Sequence, residues 1–176
     1  MRQNRAVYGV RTRIALAAAL LAPAVHLAGS SRIGKTLPPL VVRTLAGERI
    51  DAAGIRGRVL ILSYCATWCA PCREEMPVLE ALYEKFHERG LEILGLSLDR
   101  RRARDAVAAA ARFVRYPIAL LDDAETDRIG RPGALPVTWV IDRDGVVRAI
   151  LEPKPGPVTL EALEKVVGSL LAPAAP

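Results

Sequence analysis

The sequence predicts an α/β fold in which helices flank a central mixed sheet, and two observations predict it. Between Val59 and Leu121, apolar runs of strand length alternate with stretches of helical period, which is typical of parallel strands joined by helices. Asp144-Gly145 then joins two more apolar runs, a strong hairpin signal that adds antiparallel strands. The 176 residues are 51% apolar, so we expect one domain with a buried core.

The first 28 residues have the pattern of a signal peptide or an N-terminal membrane anchor. Four arginines and no acidic residue precede the apolar run of residues 14–28. That run is shorter than the roughly 20 residues that cross a bilayer comfortably, and Ala22-Pro23-Ala24 matches a signal peptidase site. An uncleaved anchor that uses flanking residues stays open beside cleavage. Either outcome places the protein in the periplasm or elsewhere outside the cytoplasm, where conditions are oxidising.

Composition changes along the chain predict the domain boundaries and exclude one class of partner. We expect a linker over residues 29–36, a folded domain over residues 37–172 and a frayed tail over residues 173–176. Without the four leader arginines, the formal net charge falls from +6 to about +2. So small an excess gives no electrostatic reason to expect nucleic-acid binding.

The elements of the domain follow from local patterns. Ala46-Gly47 separates two short strands of an N-terminal hairpin, and a helix after residue 69 repeats apolar residues at helical spacing up to Phe86 and ends at Gly90. Asp99 is expected to N-cap a second helix that runs to about Arg115, and residues 122–133 form an acidic, turn-rich segment. The last helix covers Glu161 to Leu171. The predicted strands are 40–42, 48–50, 59–63, 92–98, 116–121, 138–141 and 146–150.

The run Trp68-Cys69-Ala70-Pro71-Cys72 indicates dithiol chemistry. Two cysteines separated by two residues, where a strand gives way to a helix, form a redox-active pair in many oxidoreductases. The N–H groups at a helix N-terminus favour a thiolate, so Cys69 is expected to be the exposed attacking thiol. Cys72 lies further into the helix and is expected to resolve the mixed disulfide. Trp68 would offer a flat apolar surface to a partner.

Three more residues are candidates for this site. Glu75 lies one turn after Cys72 on the same helix face and is a candidate proton acceptor; the alternative is a solvated carboxylate beside Arg73. Pro136 comes just before a strand, where a cis peptide bond would leave the backbone of Leu135 free to pair with an incoming peptide.

These motifs resemble those of the thioredoxin superfamily, and more narrowly the exported TlpA/ResA-like thiol-disulfide oxidoreductases. The resemblance rests on the run from Trp68 to Pro77, on Leu135-Pro136-Val137-Thr138 and on the run from Ile141 to Gly145. It implies a thioredoxin-like fold over residues 37–172, with an N-terminal β-hairpin and an inserted helix. It also implies a cis bond at Pro136 and an acidic active-site residue at Glu75.

The same resemblance implies a function. The protein would reduce disulfides in exported proteins, as in cytochrome c maturation where the substrate is apocytochrome c, and would receive electrons from a membrane-embedded thiol carrier. No cofactor and no metal site is expected. The residue before Cys72 is Pro71 and not a histidine that could stabilise the thiolate of a strong oxidant, which also favours reduction.

Two residues depart from the family pattern. Ser63 stands where the family has an asparagine or an ionisable aspartate, which shifts proton transfer onto Glu75. Cys65 stands where the family has an aromatic residue, and it is interpreted either as a small buried apolar residue or as a backup resolving thiol.

Alternatives from other classes stay open for the cysteines and for a run of arginines. Two thiolates suit Cu(I), so a Cu(I)-handling protein or a copper-site thiol reductase is the alternative function. An iron–sulfur site needs a flexible loop that the predicted strand and helix do not provide. Arg100, Arg101, Arg102 and Arg104 form either a solvated basic face or a dock for an acidic partner or a headgroup surface.

Overall fold

A computed structural model describes residues 32–152 and 158–172. The predicted signal or anchor over residues 1–28, with its apolar run 14–28, and the predicted tail over residues 173–176 lie outside the described residues. Within the described ranges, no helix combines the length and the hydrophobicity needed to cross a membrane.

Eight strands and three α-helices make up the described part of the domain. The strands are β1 (Leu40–Arg43), β2 (Arg49–Asp51), β3 (Val59–Cys65), β4 (Leu91–Ser97), β5 (Ile118–Leu120), β6 (Thr126–Asp127), β7 (Val137–Ile141) and β8 (Val147–Leu151). The helices are α1 (Ala70–Phe86), α2 (Arg104–Ala110) and α3 (Leu160–Leu171). Their order along the chain is the one that the sequence predicts, with β6 as the addition.

A five-stranded mixed sheet forms the centre of the fold, in the order β5-β4-β3-β7-β8. Strands β5, β4 and β3 are parallel, whereas β7 pairs antiparallel with β3 and β8 pairs antiparallel with β7. Apolar side chains are buried on both faces of this sheet, and α1 and α3 pack against one of them. The predicted α/β class with a mixed sheet and flanking helices is confirmed.

The N-terminal hairpin of β1 and β2 is confirmed, and it belongs to a second, smaller sheet. Strand β6 pairs antiparallel with β1 and completes the order β2-β1-β6. The sequence does not predict β6, because two residues inside an acidic segment carry no alternating apolar pattern. A single 3-10 turn, Leu121–Asp123, lies at the start of this segment.

Helix α1 begins where its sequence predicts. Cys69 is the N-cap, Pro71 occupies the first turn, where an N–H would have no partner, and Gly90 follows the helix end with a φ of 103°. Pro77 lies inside the helix and cannot donate to the carbonyl of Arg73. The buried face of the helix carries Met76, Leu79, Leu82 and Phe86.

The helix expected from Asp99 to Arg115 is much shorter, and Asp99 is not its N-cap. A 3-10 turn over Arg101–Ala103 leads into α2, whose N-cap residue, Ala103, makes no side-chain cap. The Asp99 carboxylate bonds to the loop after β3 instead. Arg100, Arg101 and Arg102 would oppose the dipole of a helix that began at Asp99, which also disfavours an earlier start.

Part of the predicted linker contacts the sheet. Gly34 donates its N–H to the Val147 carbonyl at 2.8 Å, and Thr36 forms a β-bridge with Val146. The guanidinium of Arg32 lies 5.6 Å from the ring centroid of Trp139. Residues 32–36 therefore pack beside β8 and do not extend away from the domain.

Candidate active site

The sheet brings three loops together at one edge. In the parallel strands β3, β4 and β5, Cys65 is opposite Ser97, and Ser97 is opposite Leu120. Their carboxyl ends therefore meet at the same edge, which is where open α/β sheets place their binding crevices. The loop after β3 carries the dithiol, the loop after β4 carries the arginine run, and the segment after β5 carries Asp122 and Asp123.

Cys69 and Cys72 form a disulfide, with their Cα atoms 5.3 Å apart. Cys69 is the N-cap of α1, and its Sγ accepts a hydrogen bond from the Cys72 backbone N–H at 3.2 Å. The sulfur of Cys69 thus takes the place of a capping oxygen at the positive end of the helix dipole. This environment favours a thiolate on Cys69 once the disulfide is reduced.

Cys69 is less exposed than the sequence suggests. The residue is 6% exposed and Cys72 is 2% exposed, and the two form a buried cluster with Ala66 against which Leu135 packs. Cys69 is still the more accessible of the two. Trp68, directly before it, is 69% exposed and presents its ring to solvent.

Glu75 is buried beneath the dithiol and is not the solvated carboxylate that was the alternative interpretation. It is 3% exposed, and its Oε1 accepts a hydrogen bond from the Thr138 hydroxyl at 2.7 Å. Its other oxygen, Oε2, is buried with no hydrogen-bond partner in the described part of the chain. Burial raises the pKa of Glu75, and the Thr138 hydrogen bond opposes that shift only in part.

Leu135 and Pro136 reach the dithiol from the start of β7. The Leu135–Pro136 peptide bond is cis, and the Leu135 side chain packs against Cys69 and Cys72. All of the predicted site residues therefore lie in one region of the molecule, although the sequence does not connect Thr138 to Glu75. The signal for Thr138 was its place in the Leu-Pro-Val-Thr run, at the strand beside β3.

Asp99 holds the loop in front of the dithiol, a role that the sequence does not reveal. Its Oδ2 accepts from the Thr67 backbone N–H and from the Ser97 hydroxyl, and its Oδ1 accepts from the Thr67 hydroxyl, each at 2.8 Å. Arg73 Nη1 donates to the Thr67 carbonyl at 2.9 Å. Both backbone polar groups of Thr67 are thereby fixed by side chains. The signal that could have indicated this role is the position of Asp99 directly after the predicted strand 92–98, which pairs with β3.

Cys65 lies at the end of β3 in surroundings unlike those of Cys69. Burial raises the pKa of the Cys65 thiol to about 12, and the nearby carboxylates Asp99 and Glu75 add to the shift. The residue lines a cavity of about 20 Å³ together with Ser97 and Val107.

The described residues hold no group of three or more histidine, cysteine or carboxylate side chains that is arranged to bind a metal ion. His87 lies at the end of α1 remote from the dithiol. It therefore cannot join Cys69 and Cys72 as a ligand in this arrangement.

Comparisons with known proteins agree with this geometry. The model of the AhpC/TSA family matches residues 33–150. The chain belongs to the AhpC/TSA family. Among curated relatives, a thiol-disulfide oxidoreductase ResA of Bacillus cereus is 36% identical over 136 residues, which are 76% of this chain and 75% of that relative. A ResA of Geobacillus kaustophilus is 29% identical, and the match covers 78% of each chain.

Solved structures show the same fold. A thiol:disulfide interchange protein of the thioredoxin family from Chlorobium tepidum has a TM-score of 0.62 at 22% identity, over 78% of this chain and 96% of that one. A secreted thiol-disulfide isomerase from Corynebacterium glutamicum has a TM-score of 0.60 at 25% identity, over 77% and 84% of the two chains. The thioredoxin-like fold and the resemblance to TlpA/ResA-like thiol-disulfide oxidoreductases are confirmed, and the protein is a redox enzyme of this class.

Proposed function

We propose that the protein reduces disulfides in exported proteins, with apocytochrome c as a candidate substrate and a membrane-embedded thiol carrier as its electron donor. The observation that supports this best is the Cys69–Cys72 pair at the N-terminus of α1 above the buried Glu75. The ResA relatives support the same chemistry. No described feature favours copper handling over it.

The first step uses Cys69. Its thiolate attacks one sulfur of the partner's disulfide, a mixed disulfide forms, and the partner's other sulfur leaves as a thiolate that takes up a proton. The helix N-terminus stabilises the attacking anion, and the Cys72 N–H lies 3.2 Å from that sulfur. Cys69 is also the more exposed thiol of the pair, so a partner reaches it first.

The second step uses Cys72 and Glu75. Cys72 loses its proton, attacks the sulfur of Cys69 and releases the partner as a dithiol, so two electrons pass from this protein to the partner. Because Cys72 is buried, its proton needs an internal acceptor, and Glu75 is one turn along the same helix. The raised pKa of Glu75 brings it nearer to that of a thiol and suits it to the transfer.

Two features around the pair support the reductive direction. A buried carboxylate at Glu75 opposes a second negative charge on a nearby sulfur, so it disfavours the dithiolate form. The N-terminus of α1 has a proline at position 71 and therefore one N–H fewer to stabilise an anion. A less stabilised reduced form makes the protein a stronger reductant.

Trp68, Leu135 and Pro136 are proposed to receive the substrate. Trp68 is exposed directly before Cys69 in the chain, and Leu135 packs against the cluster that contains both cysteines. Leu135 packs against the cluster that contains the dithiol, and an extended segment of the partner would pair with the backbone there.

We place the protein outside the cytoplasm, in the periplasm where the cell has one. The basic and apolar pattern of residues 1–28 supports export, either with cleavage as a signal or with retention as an anchor through residues 14–28. A solved neighbour is itself described as secreted. In an oxidising compartment the dithiol needs a dedicated donor, which is the reason for proposing the thiol carrier.

A redox titration tests the direction. We expect equilibration against glutathione to give a potential nearer to about −270 mV, the value of thioredoxin, than to about −120 mV, the value of DsbA. A potential near the DsbA value would contradict a reductase.

Trapping tests the substrates. In cells that express Cys72→Ala, mixed disulfides at Cys69 should accumulate with exported proteins, because the resolving thiol is missing. Cys69→Ala with Cys72→Ala is the matched control and should trap none. If the two variants trap the same proteins, Cys69 is not the nucleophile.

A further inference from the structure

A group of arginines lies beside the dithiol, although the chain separates them from it by about thirty residues. Asp99 holds Thr67 in the loop before Trp68, so the residues that follow Asp99 lie next to that loop. Arg100 and Arg101 are among them, with side chains 72% and 70% exposed. Arg102 is exposed as well. We call Trp68, Arg73, Arg100, Arg101 and Arg102 the arginine surface.

Arg100 and Arg101 of this surface pair with two less exposed carboxylates, each of which a neighbouring arginine also pairs with. Arg100 and Arg131 share Asp122, at 3.5 and 2.6 Å, while Arg101 and Arg104 share Asp123. The two aspartate side chains are only 16% and 15% exposed. Four guanidinium groups therefore meet two carboxylates from the outside, and the charge presented to solvent is positive.

Two further cations add to the excess. Arg102 and Arg73 enter no ion pair within residues 32–152 and 158–172. Arg73 Nη1 reaches the Thr67 carbonyl, which places this cation within one residue of Trp68. Two exposed carboxylates reduce this excess of positive charge: Glu74 follows Arg73 in α1, and Asp105 follows Arg104 in α2.

We propose that the arginine surface docks partner proteins that carry acidic residues next to the disulfide to be reduced. This proposal rests on the proposed function, because the surface borders Cys69. Several guanidinium groups bind carboxylates through paired N–H donors, and the exposed ring of Trp68 packs on apolar atoms near the disulfide. Such complementarity mainly raises the association rate and selects among partners.

A fold-stabilising role does not account for this arrangement. Exposed ion pairs contribute little to stability, and Arg102 contributes to none of them among the described residues. Arg101 and Arg102 also lie in the 3-10 turn directly before α2, where cations oppose the helix dipole. Their cost is offset if they have a partner outside the chain.

The test uses the reduced protein and three synthetic peptides that share one disulfide-closed loop and differ only in flanks of three Glu, three Gln or three Lys. At an ionic strength of about 10 mM, we expect the Glu peptide to be reduced about tenfold faster than the Lys peptide. At about 1 M salt, where charges beyond about 3 Å are screened, the ratio should approach one.

Variants of the arginines show which residues cause the preference for the Glu peptide. Arg100→Gln with Arg102→Gln should lower the Glu-to-Lys ratio several-fold and leave the rate with the Gln peptide unchanged. Arg89→Gln is the matched control, because this exposed arginine lies beyond the far end of α1. A ratio near one in the wild type, or an equal ratio in both variants, would overturn the proposal.

Two outcomes separate this proposal from its alternatives. Failure to reduce even the Gln peptide would count against the proposed function and not against the surface alone. Sedimentation with vesicles that contain phosphatidylglycerol, lost in the Arg100/Arg102 variant while the peptide ratio stays near one, would assign the arginines to a membrane surface and overturn docking of an acidic protein.

Discussion

Cys69 and Cys65 are four residues apart and have opposite electrostatic surroundings. Cys69 caps α1, where its sulfur accepts the Cys72 N–H and faces the positive end of the helix. Cys65 ends β3, where burial and the carboxylates of Asp99 and Glu75 raise its pKa to about 12. The first environment favours the thiolate and the second one suppresses it.

This difference gives a physical reason to expect that Cys65, although it lies near the dithiol, takes no part in exchange. The reactive form of a cysteine is the thiolate, so a pKa near 12 leaves Cys65 almost entirely protonated at neutral pH. The carboxylates that suppress Cys65 have their own tasks: Asp99 holds Thr67, and Glu75 lies beneath the dithiol. Selectivity among the cysteines therefore depends on where the helix begins and where the acids are buried.

The largest expected effect is the loss of the thiol at the helix N-terminus. Cys69→Ser should lower the rate of disulfide reduction by at least about a thousandfold, because a hydroxyl is not ionised at neutral pH and cannot replace the thiolate. The assay is reduction of a disulfide-containing peptide by stoichiometric reduced protein. Substantial remaining turnover would mean that Cys65 or Cys72 attacks in its place, and the contrast between the two environments would fail.

Glu75→Gln should give the next largest effect on the rate. The amide fills the same space beside Thr138 but cannot accept the proton of Cys72, so release of the mixed disulfide should slow by about ten- to a hundredfold. Rapid mixing followed by acid quenching would show the mixed disulfide accumulate. Glu74→Gln, an exposed neighbour on the same helix, is the control and should behave as wild type. Equal slowing in both variants would remove Glu75 from the mechanism.

The same substitution has an effect on stability with a definite sign. A carboxyl with a raised pKa in the folded state binds more protons than in the unfolded state, so the folded protein loses stability as pH rises through that pKa. Glu75→Gln removes this loss. Urea unfolding of the oxidised proteins should therefore show the stability of the variant rising relative to that of wild type as the pH increases above the ordinary pKa of a glutamate. A difference that does not change with pH would mean that the pKa of Glu75 is not raised.

The sequence predicts the parts of this site that depend on local pattern. The N-cap of α1 at Cys69, the hairpin at Gly145 and the succession of elements along the chain follow from periodicity, capping and turn residues. Local patterns cannot predict contacts between segments that are far apart in the chain. Thr138 meets Glu75 across 63 residues, and Asp99 bonds Thr67 across 32, so neither partner is visible before the sheet is assembled.

Asp99 shows how a local rule fails for this reason. As a single aspartate before a helical pattern, it fits the N-cap rule, and the rule considers only neighbours in the chain. In the folded protein, the parallel pairing of β3 and β4 offers it the Thr67 N–H and hydroxyl, and it binds these instead. The expected helix then begins later, with a 3-10 turn.

Asp99→Asn should make the Cys65 thiol easier to ionise and so reduce the difference in thiolate formation between Cys65 and Cys69. Loss of the negative charge should lower the pKa of Cys65, so alkylation of Cys65 in the oxidised protein should become several-fold faster at a given pH. Weaker hydrogen bonds to Thr67 and Ser97 should also cost about 1–2 kcal/mol of stability. Asp105→Asn, exposed on α2, is the control for alkylation. Unchanged alkylation in Asp99→Asn would show that burial alone suppresses Cys65.

Cys65→Ala should have the smallest effect on activity. The thiol takes no part in exchange while it is protonated, so the rate of disulfide reduction should stay within about twofold of wild type. Stability should fall by about 1 kcal/mol, because removal of the sulfur enlarges the cavity of about 20 Å³ that Cys65 lines. Peptide reduction and urea unfolding measure the two quantities. A loss of nearly all activity, with stability largely kept, would make Cys65 a resolving thiol in its own right, and the position of a cysteine relative to the helix start would then no longer decide its chemistry.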